Sequence, residues 1–221
     1  MKQERFLLAG YCFKMNNQPK FVEDCFLLDS GRIFIRGEID EESEEKFIRS
    51  LRYCMSIDIK NIYIYISSEG GDVDSGCAII DEINGAKKQG FKIHTIALGK
   101  AYSAAADILT FGSVRYATEN ASIMLHPMLF DLDMDYIANQ KAYTAFTDYK
   151  YADIIKKVAK NCKKRTKASI SKFIEEIQHG LWLCPKEAKR RKVIDDIWDY
   201  SQEKNIDEQS NKRGNKESSS K

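Results

Sequence analysis

Three features of the sequence supply the groups that an acyl-transfer site requires. Ser103 lies in the segment Gly99-Lys-Ala-Tyr-Ser-Ala-Ala-Ala, where an apolar strand pattern and a glycine give way to small helix formers. His126 ends a later apolar run, and Gly70-Gly71 interrupts an earlier one. A serine can act as nucleophile, an imidazole can take its proton, and backbone N–H groups can hold an oxyanion. The combination favours acyl-transfer chemistry centred on Ser103.

Each of these residues also has a purely structural interpretation. A serine at a helix start is most often an N-cap, and a glycine pair between a strand and a helix is most often a tight turn. A histidine at a strand end is as often structural as catalytic. Capping and nucleophilic roles do not exclude each other at Ser103. The small residue Ala104 would also leave its backbone N–H available as an oxyanion donor.

The other histidines and the cysteines lack such a setting. His94 lies in mid-strand, which predicts a packing role, and His179 lies near a helix end, which predicts a capping or surface role. The cysteines form no C-x-x-C pair, so no zinc site is expected, and none lies in a glycine-rich turn that would favour a cysteine nucleophile. We expect free thiols in a reducing cytosol at Cys12, Cys25, Cys54, Cys77, Cys162 and Cys184.

Composition narrows the class of protein. Hydrophobic residues make up 43% of the 221 residues and charged residues 31%, which is typical of a soluble globular domain. No apolar run is long enough for a transmembrane helix, and the N-terminal apolar run is too short for a secretory signal. We therefore expect a cytoplasmic protein without a membrane partner. The net charge of +2 argues against a dedicated nucleic-acid binder.

Strand patterns alternate with helix patterns along the chain, which predicts an α/β fold with parallel crossovers. Strands are predicted at 32–39, 61–66, 92–98, 114–117, 121–125 and 193–197. Helices are predicted after a capping Asp40, at 73–88, 103–110, about 135–163 and 170–178, and from Pro185.

The helix predicted over 135–163 is long, polar and rich in tyrosine. Such a helix either projects from the domain towards a partner or lies on its own core, and the sequence leaves both open. Beyond it, residues 201–221 are polar and charged with a single aliphatic residue, which predicts a disordered tail.

Four ordered blocks carry a resemblance to a known family. They are Ile62–Gly76, with Glu69 where the family has proline, then Gly99–Ala106, Ile123–Pro127, and Leu183–Ala188 followed by Val193–Asp195. Over about residues 33–198 the chain resembles the proteolytic subunit of the ATP-dependent Clp protease, a serine peptidase family of the ClpP/crotonase superfamily.

The resemblance implies an α/β fold of repeated β-β-α units, in which the helix at 135–163 is a protruding handle. It implies a peptidase domain over 31–200 and, within 1–30, an N-terminal segment that forms an axial loop. It assigns Ser103 as nucleophile and His126 as general base. The backbone N–H groups of Gly71 and Ala104 would form the oxyanion hole. Neither a metal nor an organic cofactor is implied.

The resemblance also implies partners. The family assembles as a homo-oligomer of two stacked heptameric rings, whose handles interlock around a proteolytic chamber. A separate AAA+ unfoldase consumes ATP and delivers unfolded polypeptide. No nucleic-acid partner is implied.

One position departs from the family pattern. The family has a triad aspartate seven residues before the glutamate that corresponds to Glu187, and this chain has Gly180 there. Glu176 is the nearest acid in sequence that might orient His126, but it matches no catalytic residue of the family. Three hypotheses follow: an active Ser-His dyad, a rewired triad, or a catalytically impaired ring subunit.

Two further hypotheses rest on related folds. A phage prohead maturation protease shares the fold and is compatible with the Ser103 segment and the charged tail. A crotonase-type acyl-CoA enzyme uses the same two-donor oxyanion hole but would not need Ser103 and His126 at these positions.

Overall fold

The structure, a computed structural model, describes residues 27–127, 137–163 and 166–201. The axial loop predicted within 1–30 and the tail predicted over 201–221 lie almost entirely outside these ranges. None of the described helices is both long and apolar enough to cross a membrane.

Helices and strands alternate through most of the described chain. The strands are β1 Arg32–Ile39, β2 Asn61–Gly71, β3 Lys92–Tyr102, β4 Val114–Ala117, β5 Ser122–Leu125, β6 Leu181–Leu183 and β7 Asp196–Ile197. The helices are α1 Glu41–Ser56, α2 Val73–Lys88, α3 Ala104–Thr110, α4 Ile137–Asn161, α5 Lys167–Gln178 and α6 Pro185–Arg190. The predicted α/β class is confirmed.

Two predicted elements differ from the structure near the C-terminal end. The three-residue strand β6 was not expected from the sequence. A strand is predicted over 193–197, but only Asp196–Ile197 forms one, as β7. The prediction is therefore wrong for residues 193–195. Val193 and Ile194 are fully buried beyond the end of α6, and their N–H groups bond to the Ala188 carbonyl oxygen. Their apolar character reflects core packing after a turn rather than strand pairing.

One mixed sheet of seven strands organises the domain, with β1-β2-β3-β4-β7 hydrogen-bonded in that order. Strand β3 has two partners on one side. Its first part, His94–Ala97, pairs with β4, and its last residues, Lys100–Tyr102, pair with β5. Gly99, at φ +81°, separates the two parts. On this side of β3 the partner therefore changes from β4 to β5, while Ala101 stays paired with Ser68 of β2 on the other side.

The two faces of the sheet carry different side chains. Ile62, Ile64 and Ile66 of β2 point into the core beneath the helices and are fully buried. Tyr63 and Tyr65, which alternate with them, point to the other face and pack with Trp198. This period-two alternation follows from strand geometry. The aliphatic and aromatic residues of β2 therefore belong to separate clusters.

The main helices on the core face begin at side-chain caps. The Asp40 carboxylate accepts from the Ser43 N–H at 2.8 Å, and the Ser43 hydroxyl accepts from the Asp40 N–H, which completes a capping box. The Asp72 carboxylate caps α2 by accepting from the Ser75 N–H at 2.7 Å. Such caps satisfy N–H groups that the helix leaves unpaired. The predicted Asp40 cap is confirmed, and the Asp72 cap fixes the helix that follows Gly71.

Helix α4 both packs on the core and presents an exposed surface. Ile155 and Val158, in its C-terminal half, are buried against the domain. Phe146 and Tyr149, in its N-terminal half, are 59% and 75% exposed. Large aromatic side chains lose free energy by remaining in water. The C-terminal half of the helix therefore lies on the core of its own domain, and contact of the exposed N-terminal half with a partner stays a prediction.

A buried ion pair connects β4 with the residue before β7, and its arginine also contacts the end of α4. Arg115 of β4 is buried and donates from Nε and Nη2 to the two carboxylate oxygens of Asp195, both at 2.9 Å. It also donates to the Asn161 carbonyl oxygen at 2.6 Å, and Lys163 reaches Asp195 at 3.0 Å. Burial alone would raise the pKa of Asp195, but these hydrogen bonds hold it well below its usual range.

Replacing Asp195 by asparagine should destabilise the fold by about 3 kcal/mol at neutral pH, because Arg115 is left buried without its counter-charge. Asp196→Asn is the matched control: Asp196 is exposed and pairs with Lys189 on the surface, which contributes less than about 1 kcal/mol. Urea unfolding at pH 7 measures both. Equal losses in the two variants would contradict the role assigned to the pair.

The contribution of Asp195 to the stability of the fold should decrease as the pH falls. The folded-state pKa of Asp195 lies below its unfolded value of about 3.9, so the stabilisation is present above that pH. It is lost as the pH falls towards the lower folded-state pKa. The difference between wild type and Asp195→Asn should therefore narrow when the urea series is repeated at pH 3.

Candidate active site

Ser103 lies on a strained turn between β3 and α3. Its φ of 55° and ψ of −129° fall where residues with a side chain seldom occur. Such a backbone costs about 1 to 3 kcal/mol and persists only where the surroundings hold it. The Ser103 hydroxyl makes no capping hydrogen bond to α3. The simple N-cap interpretation therefore does not account for this serine.

The glycine turn lies directly against Ser103. A Cβ on Gly70, at φ +97°, would be 2.7 Å from the Ser103 Cβ and 2.8 Å from the Tyr102 carbonyl oxygen. The same Cβ would be 3.2 Å from the Ala104 backbone nitrogen. Only a residue without a side chain allows the ends of β2 and β3 to approach this closely. The turn predicted at the glycine pair and the serine segment thus belong to one site.

Two polar contacts fix the glycine turn. The Gly70 N–H donates to the hydroxyl of Ser68, a fully buried side chain, at 3.0 Å. Glu69, which stands where the resembled family has proline, forms an ion pair with Lys100 of β3. Hydrogen bonds from Lys100 and its positive charge lower the pKa of Glu69. Because this pair is exposed, it orients the turn more than it stabilises the fold.

Strand β5 brings His126 to the same place. The Ser103 N–H donates to the Met124 carbonyl oxygen at 2.9 Å, so β5 runs directly beside the serine. His126 follows two residues later, directly after the end of β5. Its side chain is half-buried. The structure therefore brings together the three predicted elements: the serine turn, the glycine pair and the end of the histidine strand.

Residues that the sequence did not single out also hold this corner. The Tyr102 hydroxyl lies 2.6 Å from the Ser122 hydroxyl, which joins the ends of β3 and β5. The Tyr102 ring meets Trp182 of β6 edge to face, with centroids 5.2 Å apart. These contacts depend on tertiary pairing, and only the aromatic character of Tyr102 beside Ser103 could have suggested them.

Position 180, where the resembled family has an aspartate, lies at the same end of the β5–β6 pair as His126. Strands β5 and β6 are antiparallel, and Leu125 pairs with Leu181. His126 directly follows Leu125, and Gly180 directly precedes Leu181, so both residues lie at the same end of this strand pair. Gly180 has φ +78°, and a Cβ there would meet only the Trp182 Nε1, at 3.8 Å. The glycine thus leaves room for a side chain next to the histidine.

Glu176 has a different partner. Arg191 donates from Nη1 to its carboxylate at 2.6 Å, in a partly buried ion pair between α5 and the end of α6. This ion pair links the two helices and engages the Glu176 carboxylate with Arg191. The ion pair does not favour Glu176 as the acid that orients His126, and that role stays a prediction.

The other two histidines behave as expected from the sequence. His94 is buried and stacks between Tyr63 and Tyr116, at 4.5 Å and 6.2 Å. Burial, together with the charge of Lys92, lowers the pKa of His94 to about 4, so the ring is neutral at pH 7. His179 is the exposed C-cap of α5. Within the described ranges, no group of His, Cys, Asp and Glu side chains is arranged to hold a metal ion.

Replacing Gly70 by alanine should destabilise the fold by about 1 to 3 kcal/mol more than Gly37→Ala does. Both glycines have positive φ, so both variants carry backbone strain, but a Cβ on Gly37 has no atom within 4 Å. The difference isolates the clash with Ser103 and Tyr102. Urea unfolding of the two variants checks it, and equal midpoints would contradict the close approach.

Comparisons with known proteins identify the family of the chain. The chain is 39% identical over 105 residues to a Treponema denticola protein named ATP-dependent Clp protease proteolytic subunit 2. That match covers 46% of this chain and 51% of the relative, so the chain spans about half the length of the curated relative it matches. A family model described as Clp protease matches residues 20–201, which include the serine turn, the glycine pair and His126. The chain therefore belongs to the Clp protease family.

Proposed function

We propose that this protein is a serine endopeptidase that hydrolyses peptide bonds of unfolded polypeptides, with Ser103 as nucleophile and His126 as general base. The observation that carries the proposal is the strained turn of Ser103, packed against Gly70 and beside the histidine strand. Strain of this kind has a cost in stability and gathers at sites where it serves function. A strand-to-helix turn also exposes the serine hydroxyl to a substrate.

The proposed mechanism uses the groups at the ends of the strands. The Ser103 oxygen attacks the scissile carbonyl carbon while His126 takes the hydroxyl proton. The resulting tetrahedral intermediate collapses, and His126 gives the proton to the leaving amine. Water, activated by the same imidazole, then releases the acyl group from Ser103. The sequence of steps needs neither a metal nor an organic cofactor.

Backbone N–H groups would stabilise the negative oxygen of the intermediate. The proposed donors are Gly71 and Ala104, the first residue of α3. The N-terminus of a helix presents unpaired N–H groups and favours negative charge, which supports the assignment of Ala104. Gly70 lies against Ser103 and Ala104, so its neighbour Gly71 leaves the turn close to the same point. Removing one such donor typically costs about 100- to 1000-fold in rate.

Assembly is part of the proposal. We propose a cytoplasmic homo-oligomer of stacked heptameric rings, in which helix α4 is the handle between rings. Phe146 and Tyr149 support this, since both aromatic side chains are exposed in the isolated chain. An AAA+ unfoldase would deliver the unfolded substrate. The relative's name supports this pairing, because it describes an ATP-dependent protease.

A second candidate function follows from Gly180. A chain with glycine at the position of the family's triad aspartate could serve as a non-catalytic subunit of a mixed ring. Loss of the acid from such a triad costs about 10⁴-fold, although residual catalysis persists. The strained Ser103 favours the peptidase, and Gly180 favours the structural subunit, so the two functions require a direct test of serine reactivity.

Ser103→Ala should abolish both hydrolysis of an unfolded protein substrate and labelling by a fluorophosphonate probe, because only Ser103 carries the attacking oxygen. Ser56→Ala is the control, since that serine is exposed at the end of α1. Labelling is read by intact mass, and cleavage by a fluorescent casein assay. Undiminished cleavage by Ser103→Ala would overturn the proposed function, and rings that never react with the probe would support the structural subunit.

Gly180→Asp should raise the rate of Ser103 labelling at least about tenfold, because a carboxylate beside His126 stabilises its protonated form. The site has space for a Cβ, and aspartate tolerates positive φ at a cost of about 1 kcal/mol. Gly180→Asn is the matched control with the same shape and no charge. Equal labelling rates for the two variants would show that no acid at position 180 can orient His126.

A further inference from the structure

An ion pair joins the glycine turn to the strand that leads into the serine turn. Lys100 donates from Nζ to the Oε1 of Glu69. Glu69 directly precedes Gly70, the residue that lies against Ser103. Lys100 lies in the last part of β3, which pairs with β5 and ends directly before Ser103. The two charged side chains therefore connect the two turns from which the proposed site is built.

The chain differs from the family pattern at position 69. The resembled family has proline there, and the proline ring fixes the backbone torsion φ. Glutamate leaves this torsion free, and the two glycines that follow give the turn further freedom. For the turn to keep one conformation in this chain, another contact has to restrain it. The side chain of Glu69 makes such a contact, with Lys100.

The backbone on this side of the glycine turn offers little restraint. Among the described residues, Ser68 and Ala101 form the last pair between β2 and β3, after a register shift in β2. Gly70 and Gly71 continue beside β1 instead. The Gly70 N–H bonds back to the Ser68 hydroxyl within its own strand. The ion pair is therefore a link from this turn to β3 beyond the point where the backbone pairing stops.

The ion pair also controls the charge near the proposed oxyanion hole. Glu69 lies two residues before Gly71, a proposed donor to the negative oxygen of the intermediate. Hydrogen bonding from Lys100 and its positive charge lower the pKa of Glu69, so the carboxylate is ionised at pH 7. A carboxylate without its partner would repel the negative oxygen, and an ammonium group without its partner would attract it. Loss of one partner should therefore differ in effect from loss of the other.

We propose that the Glu69–Lys100 ion pair is a positioning device, which holds the glycine turn in the conformation that stabilises the negative oxygen during reaction at Ser103. Both residues act through the turn and are positioning residues, not catalytic ones. Their side chains are 73% and 38% exposed, so dissolved salt screens the attraction between them. The reactivity of Ser103 should consequently fall with increasing salt. This inference rests on the proposed endopeptidase function and adds two residues to the proposed site.

The rate at which an alkyl fluorophosphonate labels Ser103, read by intact mass on the full-length protein, tests the ion pair. Lys100→Met should lower the limiting rate about tenfold, because it removes the link and leaves the carboxylate unpaired. Glu69→Gln should lower it only about threefold, because it removes the link and leaves a positive charge. The exchanged variant, Glu69→Lys with Lys100→Glu, should recover to within about twofold of wild type. The probe concentration that gives half the limiting rate should stay unchanged.

Two controls separate positioning from a general effect of charge. Glu45→Gln and Arg49→Gln each break an exposed ion pair on α1, a helix that contributes no residue to the proposed site, and should label at the wild-type rate. Raising the salt concentration from about 0.02 M to about 0.5 M should slow wild type and Glu45→Gln at least twofold, and should leave Glu69→Gln unchanged.

The outcomes separate the two levels of inference. Wild-type rates in Lys100→Met and Glu69→Gln would overturn the positioning role and leave the peptidase in place, and so would an exchanged variant no faster than Lys100→Met. Failure of wild-type Ser103 to react with the probe would overturn the proposed function, and the positioning role with it. If the variants at 69 and 100 do not fold, as judged by their thermal melts, the salt dependence of wild type decides alone.

Discussion

The close approach of two strand ends is the constraint on which the site depends. At Gly70 the backbone of β2 comes so near to Ser103 and Tyr102 that a single extra carbon would overlap them. The same approach leaves Ser103 in a backbone conformation that glycine would adopt more easily. Its N–H is bound by Met124, and its carbonyl oxygen accepts from two N–H groups of α3. These hydrogen bonds and the packed core offset the strain, so the serine is held rather than mobile.

The partner change along β3 determines which strand ends meet at this point. Gly99 separates the part of β3 that pairs with β4 from the part that pairs with β5. Because the strand changes partner at Gly99, its last residues, Lys100–Tyr102, run beside β5. His126 directly follows β5 and so lies near the serine turn. The antiparallel strand β6 then covers the outer edge of β5 and places Gly180 beyond its start. The fold thus brings three strand ends, far apart in sequence, to one corner.

Local sequence patterns predict many of the helices and strands but neither the ends of β2 and β3 nor strand β6. The strands β1 and β4, helix α2 and the Asp40 cap follow from alternation, helical periodicity and capping chemistry, which act between near neighbours. The ends of β2 and β3 extend beyond the predicted runs because Ser67–Gly71 and Gly99–Tyr102 pair through the backbone and not through apolar side chains. Strand β6 has three residues and depends wholly on β5, so no local signal announces it.

Some polar residues of the site could be identified from the sequence, and others could not. Ser103, His126 and the glycine pair could be identified because their residue types and their order along the chain are informative. Ser68 and Tyr102 could not, because their roles arise from tertiary contacts: Ser68 accepts from the Gly70 N–H, and the Tyr102 hydroxyl meets that of Ser122. A serine and a tyrosine are each common in sequences. Only the tertiary structure shows which of them hold the site together.

The strain at Ser103 also bears on whether the site is reactive. A subunit that served only to complete a ring would fold with less strain if glycine occupied position 103, since glycine adopts positive φ at little cost. The chain instead keeps a serine there, with its hydroxyl free of any capping bond. Gly180 provides no charge for the proposed general base His126, and a Cβ at this position would meet only the Trp182 Nε1. The strained serine therefore supports the proposed nucleophile, while glycine at position 180 argues for a slower reaction than an aspartate there would allow.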